Sequence, residues 1–333
     1  MAIGTKTDDL RLGQRLVIGF EGRSLTPELK EIIAGLKVAG VILFSPNLES
    51  PAQIAELCRS IQEYAAGLGL PPMLVAIDQE GGVVRRLEPP FTQFAGNPSM
   101  TCENDAVDFA RVTAGELRSV GINMNMAPVL DVVPPGLDGV MRQRVFRGDP
   151  AQVARMGAMV IEHMQKEGIM AVAKHFPGIG RTTLDSHLDL PSLDTSVDVL
   201  WDSDLIPFVR AVRQKVAGIM LSHIIYTSID EDWPASLSFE IADRLLRRKM
   251  GYDGVIITDD LDMGAIRKHF PVPVAMEQIA RAGIDIALVC HQGPAIEEAY
   301  RALERSVTGD RQIRDIHLEC LRRIMLLKSR FLQ

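Results

Sequence analysis

Cysteine is scarce in this 333-residue chain, which holds four cysteines and no CxxC pair. Thiols so few and so far apart argue against a disulfide framework and against a thiolate zinc site. The sequence also lacks any apolar run near the roughly 18 residues that a membrane span needs. Its N-terminus mixes charges and shows no signal-peptide pattern, so we expect a cytoplasmic protein that does not bind membranes.

A dominant charge of one sign is missing as well. The chain has 36 Lys and Arg residues against 43 Asp and Glu residues, a formal net charge of -7, with the two signs interspersed. No basic run is long enough to neutralise a phosphate backbone, so nucleic acid is not an expected partner. Hydrophobic residues make up 47% of the chain, which is enough for a sizeable core. The sequence is silent on the oligomeric state, and a monomer is the simplest expectation.

Short apolar runs rich in Val and Ile alternate with segments of helical periodicity along the chain. This alternation is typical of βα units on a parallel sheet, and eight such strands are the count of a (β/α)8 barrel. No linker or repeat divides the chain, so we predict one α/β domain over 1–333, a TIM-type barrel with its core at about 10–310 and a C-terminal helix at about 311–332. The predicted strands are 15–20, 40–44, 73–78, 122–127, 170–176, 218–223, 254–259 and 285–290.

Ionisable side chains stand where several of these predicted strands end. In a parallel barrel the strand ends converge on the C-terminal mouth, where barrel enzymes hold their active sites. A single polar residue can simply mark the end of a strand, but several together favour a pocket. The residues are Asp78 after the third strand, Lys174 and His175 at the fifth, His223 at the sixth, and Asp259 with Asp260 at the seventh.

The loop after the fifth strand, which reads PGIGRTTLDSH, contains a candidate pair for proton transfer. Asp185 and His187 lie two positions apart, so in an extended loop their side chains share a face and the carboxylate would orient the imidazole. An isolated pair of this kind also fits a turn in which Asp caps the backbone and His is a bystander. The length and glycine content of this loop favour a mobile catalytic loop.

The third and seventh strands carry the other candidates. A carboxylate held at a strand end, as Asp259 would be, has the fixed orientation that a nucleophile needs. Asp259 and Asp260 are also suitable residues for the N-cap of a following helix. In IDQEGGVVRR, Asp78 and Arg86 flank a glycine bend and could bind polar groups of a ligand. By composition alone, Arg144 is only a loop arginine.

These motifs follow one another in an order known from one family. AIDQEGGVVRR, KHFPGIGRTTLDSH and GVIITDDLDMGA resemble glycoside hydrolase family 3, and specifically its short single-domain branch of β-N-acetylglucosaminidases. APVLDV at 127–132, RVFRGDP at 144–150, DLIPF at 204–208 and PASLS at 234–238 extend the match over nearly the whole chain. The resemblance implies a β-N-acetylhexosaminidase that releases terminal β-linked GlcNAc from peptidoglycan fragments in cell-wall recycling.

The resemblance also implies a role for each matching position. Asp259 would be the nucleophile of a retaining mechanism, and Asp185 with His187 would form the general acid and base. It implies no metal and no cofactor. The sugar-binding positions would be Asp78, Arg86, Arg144, Lys174 and His175.

Four residues depart from the usual pattern of this branch. Ile179 replaces a histidine of the Pro-Gly turn, and Arg181 stands where an acid is frequent. Val83 replaces a usual arginine and Val145 a serine. We expect these differences at the rim of the site, where they would bear on the group that leaves and on the fine preference among sugars.

Other functions stay open at this point. Within the family, a β-glucosidase would take another sugar, and a phosphorylase would use phosphate in place of water. A lysine at a barrel strand end, such as Lys174, also suits the Schiff base of a lyase, and a sugar-binding barrel without catalysis would need only the binding residues. A metal-dependent barrel hydrolase is disfavoured, because the first predicted strand ends in GFEG with no HxH motif.

Overall fold

The computed structural model describes residues 10–186 and 188–332. Its strands are β1 (Leu16–Ile18), β2 (Gly40–Leu43), β3 (Leu74–Ile77), β4 (Met124–Asn125), β5 (Met170–Phe176), β6 (Ser192–Leu193), β7 (Gly218–Leu221), β8 (Ile225–Tyr226), β9 (Val255–Asp260) and β10 (Ile286–Val289). Eight of them close a parallel barrel in the order β1-β2-β3-β4-β5-β7-β9-β10, and β6 pairs with β8 outside it. Each barrel strand coincides with a predicted run, so the (β/α)8 prediction is confirmed.

Helices surround the barrel, and three of them begin in the same way. A proline occupies the first turn, where its fixed φ suits the helix, and the preceding Thr26, Ser50 or Asp149 accepts a backbone N–H of that turn. Two segments, Leu200–Asp204 and Glu240–Lys249, have π-helical turns. The helices are α1 (Pro27–Leu36), α2 (Pro51–Gly67), α3 (Glu103–Ser119), α4 (Pro150–Lys166), α5 (Val197–Val199), α6 (Ile206–Arg213), α7 (Gly264–Arg267), α8 (Val272–Arg281), α9 (Pro294–Gly309) and α10 (Arg311–Phe331).

Apolar side chains fill the inside of the barrel. Val17, Ile42 and Ile257 belong to one buried cluster there, and Ile324 and Leu327 of α10 join the same cluster. Burying side chains of this size contributes about 1.5–3 kcal/mol each. The interior is therefore a packed core rather than a channel.

Two further sequence features can be compared with the structure. All four cysteines are free thiols, which agrees with their wide spacing. Among the described helices, none combines the length and the apolar character required to cross a membrane. The extent of the domain and the cell compartment stay predictions.

Candidate active site

A cavity of about 740 Å³ lies at the C-terminal mouth of the barrel. Six of the eight predicted site residues line it, which brings residues from four separate stretches of sequence into one place. Asp185 is half-buried, and the described lining residues do not include it. His187 lies outside the described residues. The six lining residues are Asp78, Arg86, Arg144, Lys174, His175 and Asp259.

One wall of the cavity is a network of two carboxylates and three cations. Lys174 Nζ lies 2.7 Å from Asp78 Oδ1 and 2.7 Å from Glu80 Oε1. Arg144 donates to both oxygens of Glu80 through Nη2 at 2.7 Å and Nε at 3.0 Å. Arg86 Nη2 lies 3.5 Å from Asp78 Oδ2. Because each charge faces an opposite one, these side chains are held in fixed positions before any ligand arrives.

The network keeps its members charged. Burial acts to raise the pKa of Asp78, but Lys174 and Arg86 outweigh it and lower that pKa to about 2. Burial would likewise lower the pKa of Lys174, yet Asp78 and Glu80 raise it above its ordinary value. The pKa of Glu80 is lowered by Lys174 and Arg144 against the effect of burial. Lys174 is therefore an ammonium donor and Asp78 a carboxylate acceptor at neutral pH.

Asp259 approaches the cavity from the other side. In an eight-stranded ring with this strand order, β9 is diametrically opposite β3, which precedes Asp78. Burial acts to raise the pKa of Asp259, but His223, His175 and the N–H of Asp260 outweigh it and hold that pKa below its ordinary value. The Asp260 N–H donates to Asp259 Oδ1 at 2.8 Å. The result is an ionised, oriented carboxylate facing the cationic wall.

The loop that contains Asp185 is fastened to the segment that follows β9. The Ser186 carbonyl accepts the N–H of Ala265 at 3.1 Å, and Lys268 Nζ donates to the Leu188 carbonyl at 2.6 Å. Asp189 Oδ1 lies 2.6 Å from His269 Nε2. The loop that contains Asp185 is thus joined to α7 and the residues just after it, which follow the strand end that carries Asp259.

Comparison with known proteins decides the family. The protein-family model described as "Glycosyl hydrolase family 3 N terminal domain" matches residues 7–320. The chain belongs to glycosyl hydrolase family 3. This places it among the glycoside hydrolases, as the sequence motifs predicted.

Relatives of this family 3 hydrolase share about a third of its residues. The beta-hexosaminidase of Alkalilimnicola ehrlichii is 34% identical over 86% of this chain and 84% of its own length. That of Pseudomonas aeruginosa is 35% identical over 87% of this chain and 86% of its own length. A solved family 3 β-N-acetylglucosaminidase from Paenibacillus sp. str. FPU-7 superposes with a TM-score of 0.93 at 36% identity. The match covers 96% of this chain but 62% of the Paenibacillus chain, which is less than two thirds.

Sequence reasoning missed two buried acids of this family 3 hydrolase. Glu80 binds both Lys174 and Arg144, as described above, and it stands two positions after Asp78 in DQE. Residues at that spacing share a face of an extended segment, so a period of two could have indicated it. Asp131 is fully buried and lies 2.8 Å from His175 Nδ1. A lone acid within the apolar run APVLDV was the available signal.

The four departures from the family pattern do not line the described part of the cavity. Ile179 and Val145 are buried, and Val83 is exposed. Arg181 pairs with the buried Asp204 at 2.9 Å. The described lining of the cavity includes none of the four, and their expected place at the rim of the site stays a prediction.

Three residues at the mouth have the chemistry of metal ligands. One ligand atom from each of Asp260, Asp262 and His291 lies within 4.8 Å of the others. The two carboxylates already accept the N–H groups of Cys290 and His291, and Arg267 pairs with Asp262 at 3.4 Å. These contacts join the loop after β9 to the loop after β10, which accounts for the cluster without an ion. Independence from metals and cofactors stays a prediction.

Proposed function

We propose that this family 3 hydrolase is a retaining β-N-acetylglucosaminidase that removes terminal β-linked GlcNAc. Asp259 would be its nucleophile and the Asp185–His187 dyad its general acid and base. The observation that carries the proposal is an ionised Asp259 facing a preorganised cationic wall across one cavity. The names of the relatives, beta-hexosaminidase and β-N-acetylglucosaminidase, support the choice of sugar.

The wall opposite Asp259 suits the hydroxyl groups of a bound sugar. The Asp78 carboxylate accepts hydrogen bonds, and Lys174 donates them. The guanidinium group of Arg86, which also lines the cavity and is partly exposed, adds N–H donors for a sugar oxygen. Because the network is already locked in place, little ordering cost accompanies binding. The ring would be held with its anomeric carbon towards Asp259.

The reaction then follows the double displacement of retaining glycosidases. Asp259 attacks the anomeric carbon while protonated His187 gives its proton to the leaving oxygen, and a glycosyl-enzyme ester forms. The neutral imidazole next removes a proton from water, which attacks the same carbon and frees Asp259. Attachment of the Asp185 loop beside β9 supports this pairing of roles.

We extend the proposal to the substrate and its source. The cavity volume of about 740 Å³ lies within the range of sites that hold drug-sized ligands and exceeds the need of one sugar ring. A substrate with a sizeable leaving group therefore fits, and peptidoglycan fragments that end in GlcNAc are our choice. Assays on nitrophenyl β-GlcNAc and β-glucoside, with and without phosphate, separate this activity from a β-glucosidase, a phosphorylase and a barrel that only binds sugars.

A lyase that uses Lys174 is disfavoured by the geometry. A Schiff base forms from the neutral amine, and Lys174 is bound to two carboxylates that raise its pKa. We therefore expect no lysine adduct after borohydride treatment with a keto sugar.

The nucleophile is tested by Asp259→Ala. We expect hydrolysis of nitrophenyl β-N-acetylglucosaminide to fall by roughly 10⁴-fold or more, because the group that forms the covalent intermediate is gone. Asp260→Asn is the matched control, since the Asp260 carboxylate is bound to the N–H groups of Asp262 and Cys290. Substantial turnover by a folded Asp259→Ala protein would rule out the assignment.

The acid and base are tested by His187→Ala with a series of leaving groups. Loss of the proton donor should slow substrates with poor leaving groups most, because a nitrophenolate leaves without protonation. The slope of log kcat/KM against the leaving-group pKa measures this. An equal loss for all leaving groups would count against acid catalysis by His187.

A further inference from the structure

We propose that His223 and Ser236 form a positioning pair that holds the backbone beside Asp259 and so aims its carboxylate. The inference rests on the proposed role of Asp259 as nucleophile. His223 ends the run that begins as β7, and Ser236 lies in a 3-10 turn, Ala235–Leu237. Neither side chain lines the described part of the cavity. Their effect would reach the substrate through Asp259.

Asp259 lies in a β-bulge. Along the β9 and β10 pair, Ile257 is opposite Ile286 but Asp260 is opposite Leu288, so β9 has one extra residue in this interval. Bulges at barrel rims turn side chains away from the regular alternation, and they leave backbone groups without ladder partners. On the β10 side, Thr258 Oγ1 accepts the Leu288 N–H at 3.0 Å and secures the bulge.

His223 secures the other side of the bulge. Its Nε2 lies 2.8 Å from the carbonyl oxygen of Asp260, the residue after Asp259. A carbonyl oxygen only accepts hydrogen bonds, so Nε2 carries a proton and donates whether the ring is neutral or charged. His223 is 1% exposed, so water does not compete freely for this bond. The ladder between β7 and β9 ends at Leu221 and Thr258, and the imidazole continues the attachment beyond it.

Ser236 fixes the plane of the imidazole. Its Oγ lies 2.6 Å from His223 Nδ1, and the side chain is fully buried. The Ser236 N–H donates to the Ser222 carbonyl at 3.0 Å, which ties the turn to the residue before His223. Both ring nitrogens are thus occupied, and the ring has little freedom to turn. The two buried side chains satisfy each other, and the carbonyl that they hold belongs to the residue after Asp259.

Loss of the hydrogen bond from His223 to the Asp260 carbonyl should slow the chemical step. Without a donor, the Asp260 carbonyl would move and the bulge would relax, so the Asp259 carboxylate would shift away from the anomeric carbon. A misplacement of about 1 Å can cost roughly 100-fold in rate. Ground-state binding would change little, because the network around Lys174 is untouched.

The test compares His223→Leu with His223→Gln on nitrophenyl β-N-acetylglucosaminide. We expect His223→Leu to lose roughly 100-fold in kcat with KM within a few-fold of the wild-type value, and His223→Gln, which keeps an N–H donor, to recover most of the rate. His317→Leu is the matched control, because His317 is also buried and its Nε2 lies 2.7 Å from the Leu10 carbonyl. It should lower the melting temperature without lowering kcat.

Full kcat in His223→Leu, or an equal loss in both His223 variants or in His317→Leu, would overturn the inference. If His223→Leu does not fold, Ser236→Ala is measured instead. Its kcat should drop several-fold, and Ser236→Thr should restore it. An unchanged kcat in Ser236→Ala would equally overturn the inference. Asp259→Ala is measured alongside. An active Asp259→Ala protein refutes the proposed function itself, whereas an inactive one with fully active His223→Leu refutes this inference alone.

Discussion

Glu80 illustrates how a single buried charge organises the site at the residue scale. It is 3% exposed and bound to two cations, neither of which lies near it in sequence. Such a group is costly to bury alone, and its cost is offset only when both partners are in place. Strand-end charge in the sequence indicated Asp78 and Lys174, but Glu80, which shares Lys174 with Asp78, emerged only from the structure.

Replacing Glu80 by glutamine should destabilise the protein and weaken substrate binding. We expect a loss of about 3 kcal/mol in the free energy of unfolding at pH 7, because the buried Lys174 and the half-buried Arg144 both lose a charge partner, together with a raised KM. Urea unfolding and steady-state kinetics measure the two effects. Glu277→Gln, in an exposed pair with Arg281, is the control and should change stability by less than about 0.5 kcal/mol.

The stability difference should depend on pH in one direction. The folded-state pKa of Glu80 lies below its unfolded value of 4.5, so its contribution is complete above about pH 4.5 and is lost as the pH falls through the lower, folded-state pKa. Wild type and Glu80→Gln should therefore converge in acid. A gap that widens below pH 4.5 would contradict the ionised assignment of Glu80.

At the scale of elements, the attachment of the Asp185 loop to the segment after β9 matters most. Three contacts hold it: the Ser186 carbonyl to Ala265, the Leu188 carbonyl to Lys268, and Asp189 to His269. The last pair is exposed, so water and salt weaken it and it contributes little to global stability. Its effect should be local, on the position of the loop.

His269→Ala should therefore reduce activity more than stability. We expect a several-fold fall in kcat/KM with an almost unchanged melting temperature, because the loop samples more positions when one contact is removed. Glu319→Ala, which removes an exposed pair with Arg322 in α10, provides the comparison and should leave kcat/KM unchanged. Equal kinetics for wild type and His269→Ala would show that the loop needs no such contact.

At the scale of the whole molecule, the C-terminal mouth of the barrel serves the site, and the residues away from the mouth serve stability. The C-terminal mouth gathers the site residues, while α10 packs Ile324 and Leu327 against the barrel interior. Near those residues Lys328 is 3% exposed, and its Nζ donates to Gln14 Oε1 at 2.8 Å and to the Ala39 carbonyl at 2.9 Å. Residues away from the mouth should affect stability and not turnover.

Lys328 should make the protein more stable as the pH rises from 7 to 9. Burial lowers its pKa from 10.5 to about 7, so in this range the unfolded chain binds a proton that the folded chain does not. Stability then increases by up to about 1.4 kcal/mol per pH unit. Lys328→Met should abolish this rise and leave kcat unchanged, as urea unfolding at pH 7, 8 and 9 and nitrophenyl assays would measure.

From about pH 8 upwards the buried thiols act in the opposite direction. Burial raises the pKa of Cys58 to about 12 and also raises that of Cys320, so the unfolded chain loses these protons first and stability falls. Wild type and Lys328→Met share these thiols, so the difference between their stabilities in the window from pH 7 to 9 isolates Lys328. Parallel stability curves for wild type and Lys328→Met within it would contradict the lowered pKa.

The sequence by itself determined the strands and the residues at their ends. Both depend on local patterns, namely apolar runs separated by helical segments. These patterns can be recognised without knowing which residues pack against one another. Asp78, Lys174, His175 and Asp259 follow from that pattern, because parallel strand ends must meet at one mouth.

Only the tertiary structure decided what each of these groups is bound to. Three pairs join a residue beyond the end of one barrel strand to another barrel strand: Glu80 with Lys174, Asp131 with His175, and His223 with the Asp260 carbonyl. Such pairs depend on strand register, on one extra residue in β9 and on side-chain direction, none of which leaves a periodic trace in the sequence. Local pattern specifies the elements, and the contacts that orient the chemistry arise only when the barrel closes.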